Sequence, residues 1–129
     1  MATLRAQFEL PPNPASAGAG RRAVFQVLSA WDVPAETVDD TVLIVSELVT
    51  NAVIHAPAEP PLGLELSVRD GVLRVALSDY NPAPPRRRSP SGQDEGGRGI
   101  GILESLASRW GVVARRDGKA LWFEIDLVA

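Results

Sequence analysis

The sequence predicts an α+β fold, a two-layer sandwich in which helices cover one face of a mixed, mostly antiparallel sheet. Three observations support this class. Short segments with alternating apolar side chains lie near both ends and in the middle of the chain, Asp-Gly turns separate two pairs of them, and other segments carry apolar residues at helical spacing. The resulting order is β, α, α, β, β, loop, α, β, β. A chain of 129 residues suits one domain, so we expect a single domain over 1–129.

The N-terminal part of the chain contains one predicted strand and two predicted helices. Residues 3–10 alternate apolar and polar side chains, which indicates a half-buried strand, and the Pro- and Gly-rich stretch 11–20 is predicted to be a loop. Residues 21–31 place apolar side chains at helical spacing, which predicts a first helix. Residues 35–56 carry a broad apolar stripe rich in valine. Because β-branched residues are poor helix formers, this second helix must be stabilised by packing on the sheet.

The middle of the chain predicts a hairpin followed by a long loop. Apolar residues alternate over 64–68 and again over 73–77, and Asp70-Gly71 between them is a typical turn sequence. Residues 81–97 contain mainly Pro, Arg, Ser and Gly with almost no large apolar side chain. Such a segment buries too little surface to order itself, so we expect a mobile loop there.

The C-terminal part predicts a short helix and a second hairpin. Residues 99–111 place apolar side chains at helical spacing up to Trp110, and Gly111 is expected to end this helix. Strands are predicted over 112–116 and 120–128, with a turn at Asp117-Gly118.

Composition and charge exclude several classes of function. The chain has no cysteine, so it has no disulfide, thiolate metal site or cysteine nucleophile. Its formal net charge of -3 argues against a general binder of nucleic acids or anionic membranes. No apolar run approaches the roughly 18 residues of a membrane span, and the N-terminus has no apolar core typical of a signal peptide. We therefore expect a cytoplasmic protein that binds neither nucleic acid nor membranes.

The second helix carries a polar column that interrupts its apolar pattern. Glu47, Asn51 and His55 recur every four residues and therefore share one helix face. One interpretation is a solvated helix edge. The other is a site in which the amide oxygen of Asn51 binds a hard metal ion and the Glu47 carboxylate takes a proton. For His55, a structural role is the favoured interpretation.

Two further features have both a structural and a functional interpretation. The glycine-rich stretch 96–101 leads into the third helix, where free backbone amides favour an anion such as phosphate, although such a cluster is also typical of a hinge. It is neither a Walker A loop nor a dinucleotide-binding fingerprint, because neither the required residues nor a βαβ unit surround it. Asp79 follows a predicted strand, where ligand sites are often built, but an Asp before Asn-Pro is also common in turns.

Taken in order, these motifs resemble the Bergerat-fold ATPases shared by gyrase, Hsp90, histidine kinases and MutL. The resemblance covers nearly the whole chain. It is closest to the small bacterial serine kinases that act as anti-sigma factors, and to the stand-alone ATP-binding regulators of actinobacteria. The segments that carry it are Glu47 to Ala56, Asp79-Tyr80-Asn81, Gly97 to Gly101, and the last hairpin from Gly118 to Glu124.

The resemblance implies an ATP and Mg²⁺ site with a role for each matching residue. Asn51 is implied as the side-chain ligand of Mg²⁺, Glu47 as the general base, and Asp79 as the acceptor of a hydrogen bond from the adenine amino group. The glycines of the third motif let main-chain amides reach the phosphates, and Arg98 adds positive charge. Residues 81–97 correspond to the ATP lid. The implied nucleotide-binding set comprises Asn51, Asp79, Asn81, Gly97, Arg98, Gly99, Ile100 and Gly101.

The resemblance also implies protein partners and leaves alternatives open. The implied activity is that of a serine/threonine kinase that binds a sigma factor and phosphorylates an anti-anti-sigma factor. The chain departs from the family pattern at Asn81-Pro82, where a glycine is common, and has several prolines in the lid. An alternative is therefore a regulator that binds ATP without turnover. A detached histidine-kinase catalytic domain is a third interpretation, and whether the protein forms a homodimer stays open.

Overall fold

A computed structural model describes residues 3–55, 61–80 and 98–127. Within these ranges, the order of elements is the predicted one. The predicted loop over 81–97 lies outside the described residues. The elements are β1 (Leu4–Leu10), α1 (Ala15–Ala30), α2 (Ala35–His55), β2 (Leu62–Arg69), β3 (Val72–Asp79), α3 (Arg98–Leu106), β4 (Arg109–Arg115) and β5 (Gly118–Asp126).

The strands form one sheet with the order β1-β2-β3-β5-β4. Each of the four neighbouring pairs in the described ranges is antiparallel, so no parallel pair occurs in this part of the chain, although a mixed sheet was expected. Two of the pairs are hairpins, β2–β3 and β4–β5, whereas β3 and β5 are neighbours in space but distant in sequence.

The core lies between one face of the sheet and the helices. Along each central strand every second residue is buried, as the alternating sequence pattern predicts. These side chains form one cluster with apolar residues of all three helices, so the predicted two-layer α+β sandwich is confirmed. The strand residues of this cluster include Leu64, Leu66, Leu73, Val75, Leu77, Leu121, Phe123 and Ile125. In the described part of the chain, no helix is both long and apolar enough to cross a membrane.

The first helix begins earlier than the sequence pattern predicts. It starts at Ala15, so much of the predicted loop over 11–20 is helical. The Asn13 side chain accepts a hydrogen bond from the Ala15 backbone N–H at 3.0 Å, which satisfies one free amide at the helix start. Gly20 is buried, and a Cβ there would lie 3.5 Å from Val45 of α2. The small residue thus marks a close contact between α1 and α2.

The third helix and the last hairpin also differ from the predicted limits. The helix ends at Leu106, and Trp110 and Gly111 belong to β4, so the predicted helix over 99–111 is too long. The chain leaves the helix because the Ser108 N–H donates to the Glu124 carbonyl at 2.8 Å, which starts the pairing with β5. The predicted strands over 112–116 and 120–128 both begin too late, and Gly118 lies in β5 rather than in the turn.

The face of the sheet opposite the helices carries a charged cluster. The Arg74 guanidinium lies 4.4 Å from the centre of the Trp122 ring and bonds to Glu124 at 3.1 Å. Arg109 donates to Glu124 at 2.8 Å and also binds Asp126. These hydrogen bonds from Arg109 lower the pKa of both the Glu124 and the Asp126 carboxyl groups. We call Arg74, Arg109, Trp122, Glu124 and Asp126 the open-face cluster.

Candidate functional site

Helix α2 holds the predicted polar column at a partly exposed edge. Glu47 and Asn51 both lie on α2, one turn apart, and both are half-buried. The intervening residues Leu48 and Val49 are buried in the core. The apolar stripe therefore fixes the helix against the sheet, while the Glu47 carboxylate and the Asn51 amide remain within reach of solvent or a ligand. His55 is the last residue of the helix.

Asp79 lies at the end of β3, where it forms an ion pair with Lys119 of β5. The Lys119 ammonium lies 3.2 Å from the Asp79 carboxylate. The two residues are direct partners in the β3–β5 register. Their side chains are only 9% and 11% exposed. The pair is therefore an almost buried cation and anion at one end of the sheet.

Gly118 allows the two strands to approach closely enough for this pair to form. A Cβ at Gly118 would lie 1.9 Å from the Asp79 carbonyl oxygen and 2.6 Å from the Tyr80 Cα, and both atoms belong to the backbone. No other residue fits this position without moving a strand. The glycine therefore brings the start of β5 against the end of β3 and places Lys119 opposite Asp79.

The glycine-rich motif forms the first turn of α3. Arg98, Gly99, Ile100 and Gly101 are its first four residues, and no acidic residue lies in that turn. Ile100 is buried in the core, so only its backbone is available to a ligand. Gly101 is exposed, and among the described residues no atom apart from its chain neighbours and its own helix backbone lies within 4 Å of a Cβ built there. A helix start without an acidic side chain in its first turn suits a phosphate group.

The fold brings three of the predicted motifs to the helix-covered side of the sheet. Helix α2 packs against both α3 and β3. Asp79 follows the buried residues Val75 and Leu77 at two-residue steps along β3, and so its side chain faces the helix layer as well. Asn81 and Gly97, which complete the predicted nucleotide-binding set, lie outside the described residues.

The donor groups near α2 suit Mg²⁺, which binds few protein ligands, better than a metal ion that is held by several protein side chains. Among residues 3–55, 61–80 and 98–127, no three His, Cys, Asp or Glu side chains lie close enough together to hold a metal. Mg²⁺ usually keeps several waters and binds through one or two protein oxygens together with substrate phosphates. A single amide oxygen from Asn51 is consistent with that mode of binding.

A match to a protein family decides how these features are to be understood. Residues 10–125 match the model of the histidine kinase-like ATPase domain. The chain belongs to this family. The Bergerat-type ATPase fold that the motifs predict is therefore confirmed, and the matched region contains Glu47, Asn51, Asp79 and the start of α3.

Individual relatives agree with this family. An uncharacterized protein of Streptomyces coelicolor, SCO4941, is 37% identical over 79 residues, which cover 59% of this chain and 75% of the relative. The RsbU and RsbW domains of Rv1364c from Mycobacterium tuberculosis superpose with a TM-score of 0.77 over 96% of this chain at 18% identity. The blue-light activated histidine kinase of Erythrobacter litoralis EL346 gives a TM-score of 0.60 over 90% of the chain at 26% identity. The chain spans 32% and 42% of these two structures, respectively.

Lys119 is the residue of this site that sequence reasoning did not single out. The motifs indicated Asp79 but no partner for it, because the pairing depends on a strand register that joins residues 40 positions apart. One signal was available. Lys119 is the only lysine in the chain, in which every other basic residue is arginine.

Proposed function

We propose that this domain binds ATP with Mg²⁺ and acts as an anti-sigma-type serine/threonine kinase, which binds a sigma factor and phosphorylates an anti-anti-sigma factor. The observation that carries the proposal is the half-exposed pair of Glu47 and Asn51 on an otherwise core-packed helix of a histidine kinase-like ATPase domain. The likeness to a structure containing an RsbW domain supports the choice of partner class.

In this proposal each motif has one chemical task. Asn51 contributes an amide oxygen to Mg²⁺, which neutralises charge on the phosphates when it is bound. The backbone amides at the start of α3 and the charge of Arg98 hold the phosphate groups. Asp79 accepts a hydrogen bond from the adenine amino group. Glu47 takes the proton from the serine hydroxyl of the partner as the γ-phosphoryl group is transferred and ADP departs.

Phosphorylation of the partner is the output of this scheme. A phosphate adds roughly two negative charges to the antagonist at neutral pH, which disfavours an interface that was complementary to a neutral serine. The antagonist would dissociate and leave this domain free to bind the sigma factor. Control would therefore come from the exchange of partners.

A phosphorylation assay tests the catalytic part of the proposal. Purified protein is incubated with labelled ATP, Mg²⁺ and a candidate anti-anti-sigma protein. Replacement of Glu47 by Gln is expected to lower the rate of serine labelling by about 10²–10⁴-fold, because a general base contributes that much. ATP affinity should change little. Glu36→Gln, which alters an exposed carboxylate in the first turn of the same helix, is the matched control and should keep the full rate.

The phosphorylation assay, combined with calorimetry, distinguishes the alternatives. If the protein binds Mg-ATP in calorimetry but labels no serine, and Glu47→Gln behaves as the wild type does, the domain is a non-catalytic ATP-dependent regulator. The Asn81-Pro82 departure and the prolines between residues 81 and 97 favour this second candidate. Label on a histidine would indicate a histidine-kinase catalytic domain. A pull-down with and without Mg-ATP would test the protein partners directly.

A further inference from the structure

The Asp79–Lys119 pair occupies a position where the apolar core would otherwise continue. On β3 and β5, Leu77 pairs with Leu121, and both side chains are buried. Side chains two residues apart on a strand point to the same face, and the next helix-facing pair is Asp79 with Lys119. An ion pair therefore ends an otherwise apolar row.

Fold stability does not explain a buried ion pair at this position. Removing two charges from water is costly, and well-packed apolar residues of similar size often stabilise a protein as well as such a pair does, or better. The pair also lies on the side of the sheet that is covered by α2, the helix that carries Glu47 and Asn51. These facts point to recognition of a ligand.

The chemistry of the pair indicates which part of the ligand it recognises. A carboxylate only accepts hydrogen bonds and an ammonium only donates them, and here the two lie 3.2 Å apart. The Watson–Crick edge of adenine presents the complementary groups side by side, with the 6-amino donor next to the N1 acceptor. A carboxylate has about four lone-pair sites and an ammonium three protons, so each group can bond to more than one partner at a time.

We infer that Lys119 is a base-specificity residue, which donates a hydrogen bond to adenine N1 while Asp79 accepts one from the 6-amino group. The inference rests on the proposed ATP binding. Guanine presents the opposite order, an acceptor at O6 and a donor at N1, so the same pair repels it. Gly118 fixes the spacing, because the start of β5 lies directly against the end of β3. The two groups are therefore held in place before the nucleotide arrives.

Calorimetry with modified nucleotides tests the hydrogen bond to N1. In 1-deaza-ATP a C–H group replaces N1, while the 6-amino group is retained. The wild-type protein should bind ATP at least about tenfold more tightly than 1-deaza-ATP, because a hydrogen bond to a charged donor is lost. It should bind 7-deaza-ATP, which keeps both N1 and the amino group, as well as ATP.

Variants then assign this preference to Lys119. In Lys119→Met the ratio of affinities for ATP and 1-deaza-ATP should fall to about one, and Lys119→Arg should restore part of the preference. If the single variant fails to fold, Asp79→Asn/Lys119→Met takes its place, because it removes both buried charges. It should also show a ratio of about one. The matched control is Arg115→Met, which removes one exposed positive charge opposite Gly118 and should keep the wild-type ratio.

The possible outcomes separate a failure of the Lys119 inference from a failure of the proposed ATP binding. Equal wild-type affinity for ATP and 1-deaza-ATP overturns the inference but leaves ATP binding intact. A preference that persists in a folded variant without Lys119 also overturns it, because another group would then read N1. If the wild-type protein binds no ATP with or without Mg²⁺, the proposed function fails and the inference fails with it.

Discussion

Two groups of charged side chains on the sheet have opposite surroundings. Asp79 and Lys119 face the helix layer with side chains about one tenth exposed. In the open-face cluster, Arg109 and Asp126 are each nearly half exposed and Glu124 is 22% exposed. Water and salt screen the open-face cluster, so each of its bonds contributes little to stability, whereas the buried pair is costly to break. Burial, rather than the number of bonds, decides which charges matter.

The largest expected effect is the loss of one member of the buried pair. Lys119→Met leaves the Asp79 carboxylate buried without its cation and should lower the free energy of unfolding by about 3–5 kcal/mol in denaturant titrations. Asp79→Leu/Lys119→Met removes both charges and should return to within about 1 kcal/mol of the wild type. If the single and double variants are equally unstable, the pair matters through its packing and not through its charge.

A second variant tests whether packing supports the open-face cluster. A Cβ at Gly111 would lie 2.9 Å from the Trp122 ring, so Gly111→Ala must displace the ring on which Arg74 lies. Overpacking of this kind costs about 1–3 kcal/mol and should appear as a lower midpoint of thermal unfolding. Gly101→Ala is the control for an added methyl group without a clash, because no other side chain or strand of the described residues lies within 4 Å of a Cβ there, and in a helix it should raise the midpoint slightly. A midpoint for Gly111→Ala equal to that of the wild type would show that Trp122 moves without cost.

The free energy of unfolding should also depend on pH through the carboxylates of the open-face cluster. The pKa values of Glu124 and Asp126 are lowered in the folded state, mainly by hydrogen bonds from Arg109. Their stabilising contribution is therefore present above the pKa of the unfolded chain, near 4, and is lost as the pH falls below it towards the folded-state values. Unfolding curves from pH 6 to pH 3 should fall less steeply for Glu124→Gln/Asp126→Asn than for the wild type. Parallel curves would contradict this assignment.

The smallest expected effect is the removal of Arg109 itself. Arg109→Ala should lower the thermal midpoint by only a few degrees in dilute buffer, because the bonds it loses are exposed to solvent. The difference from the wild type should shrink in 1 M salt. Arg69→Ala disrupts a more exposed pair with Asp70, at 3.5 Å, and should leave the midpoint unchanged at either salt concentration. A large effect of Arg109→Ala that persists in 1 M salt would contradict the comparison.

Much of the fold could be predicted from the sequence because it depends on local periodicity. The alternating apolar residues of β2 and β3 and the apolar stripe of α2 produce the elements that they predict. The limits of α1 and α3 were predicted less well. In the sequence, the glycines near the start of α1 are typical of a loop. The contact of Gly20 with α2 becomes visible only in the fold. Trp110 fits the apolar spacing of α3, but it pairs with Phe123 of β5 and therefore belongs to β4.

The candidate site divides in the same way. Glu47 and Asn51 could be found from spacing along one helix, and Asp79 from its place after a strand. The contact with Lys119 could not, because it requires a strand register that brings together two residues 40 positions apart. The contribution of Gly118 has the same origin, since its close neighbours belong to the end of β3. The roles of these residues in binding and catalysis remain predictions.

The sheet order has a consequence for the kinetics of folding. The helix pair and both hairpins join segments that are close in sequence, whereas the β1–β2 and β3–β5 contacts must each close a long stretch of chain. Loop closure of this length is entropically costly, and distant contacts generally slow folding. We expect the hairpins to form early and the β1–β2 and β3–β5 contacts to form late, an order that pulse-labelling hydrogen exchange would follow. Asp79 and Lys119 would then meet only after the hairpins have formed.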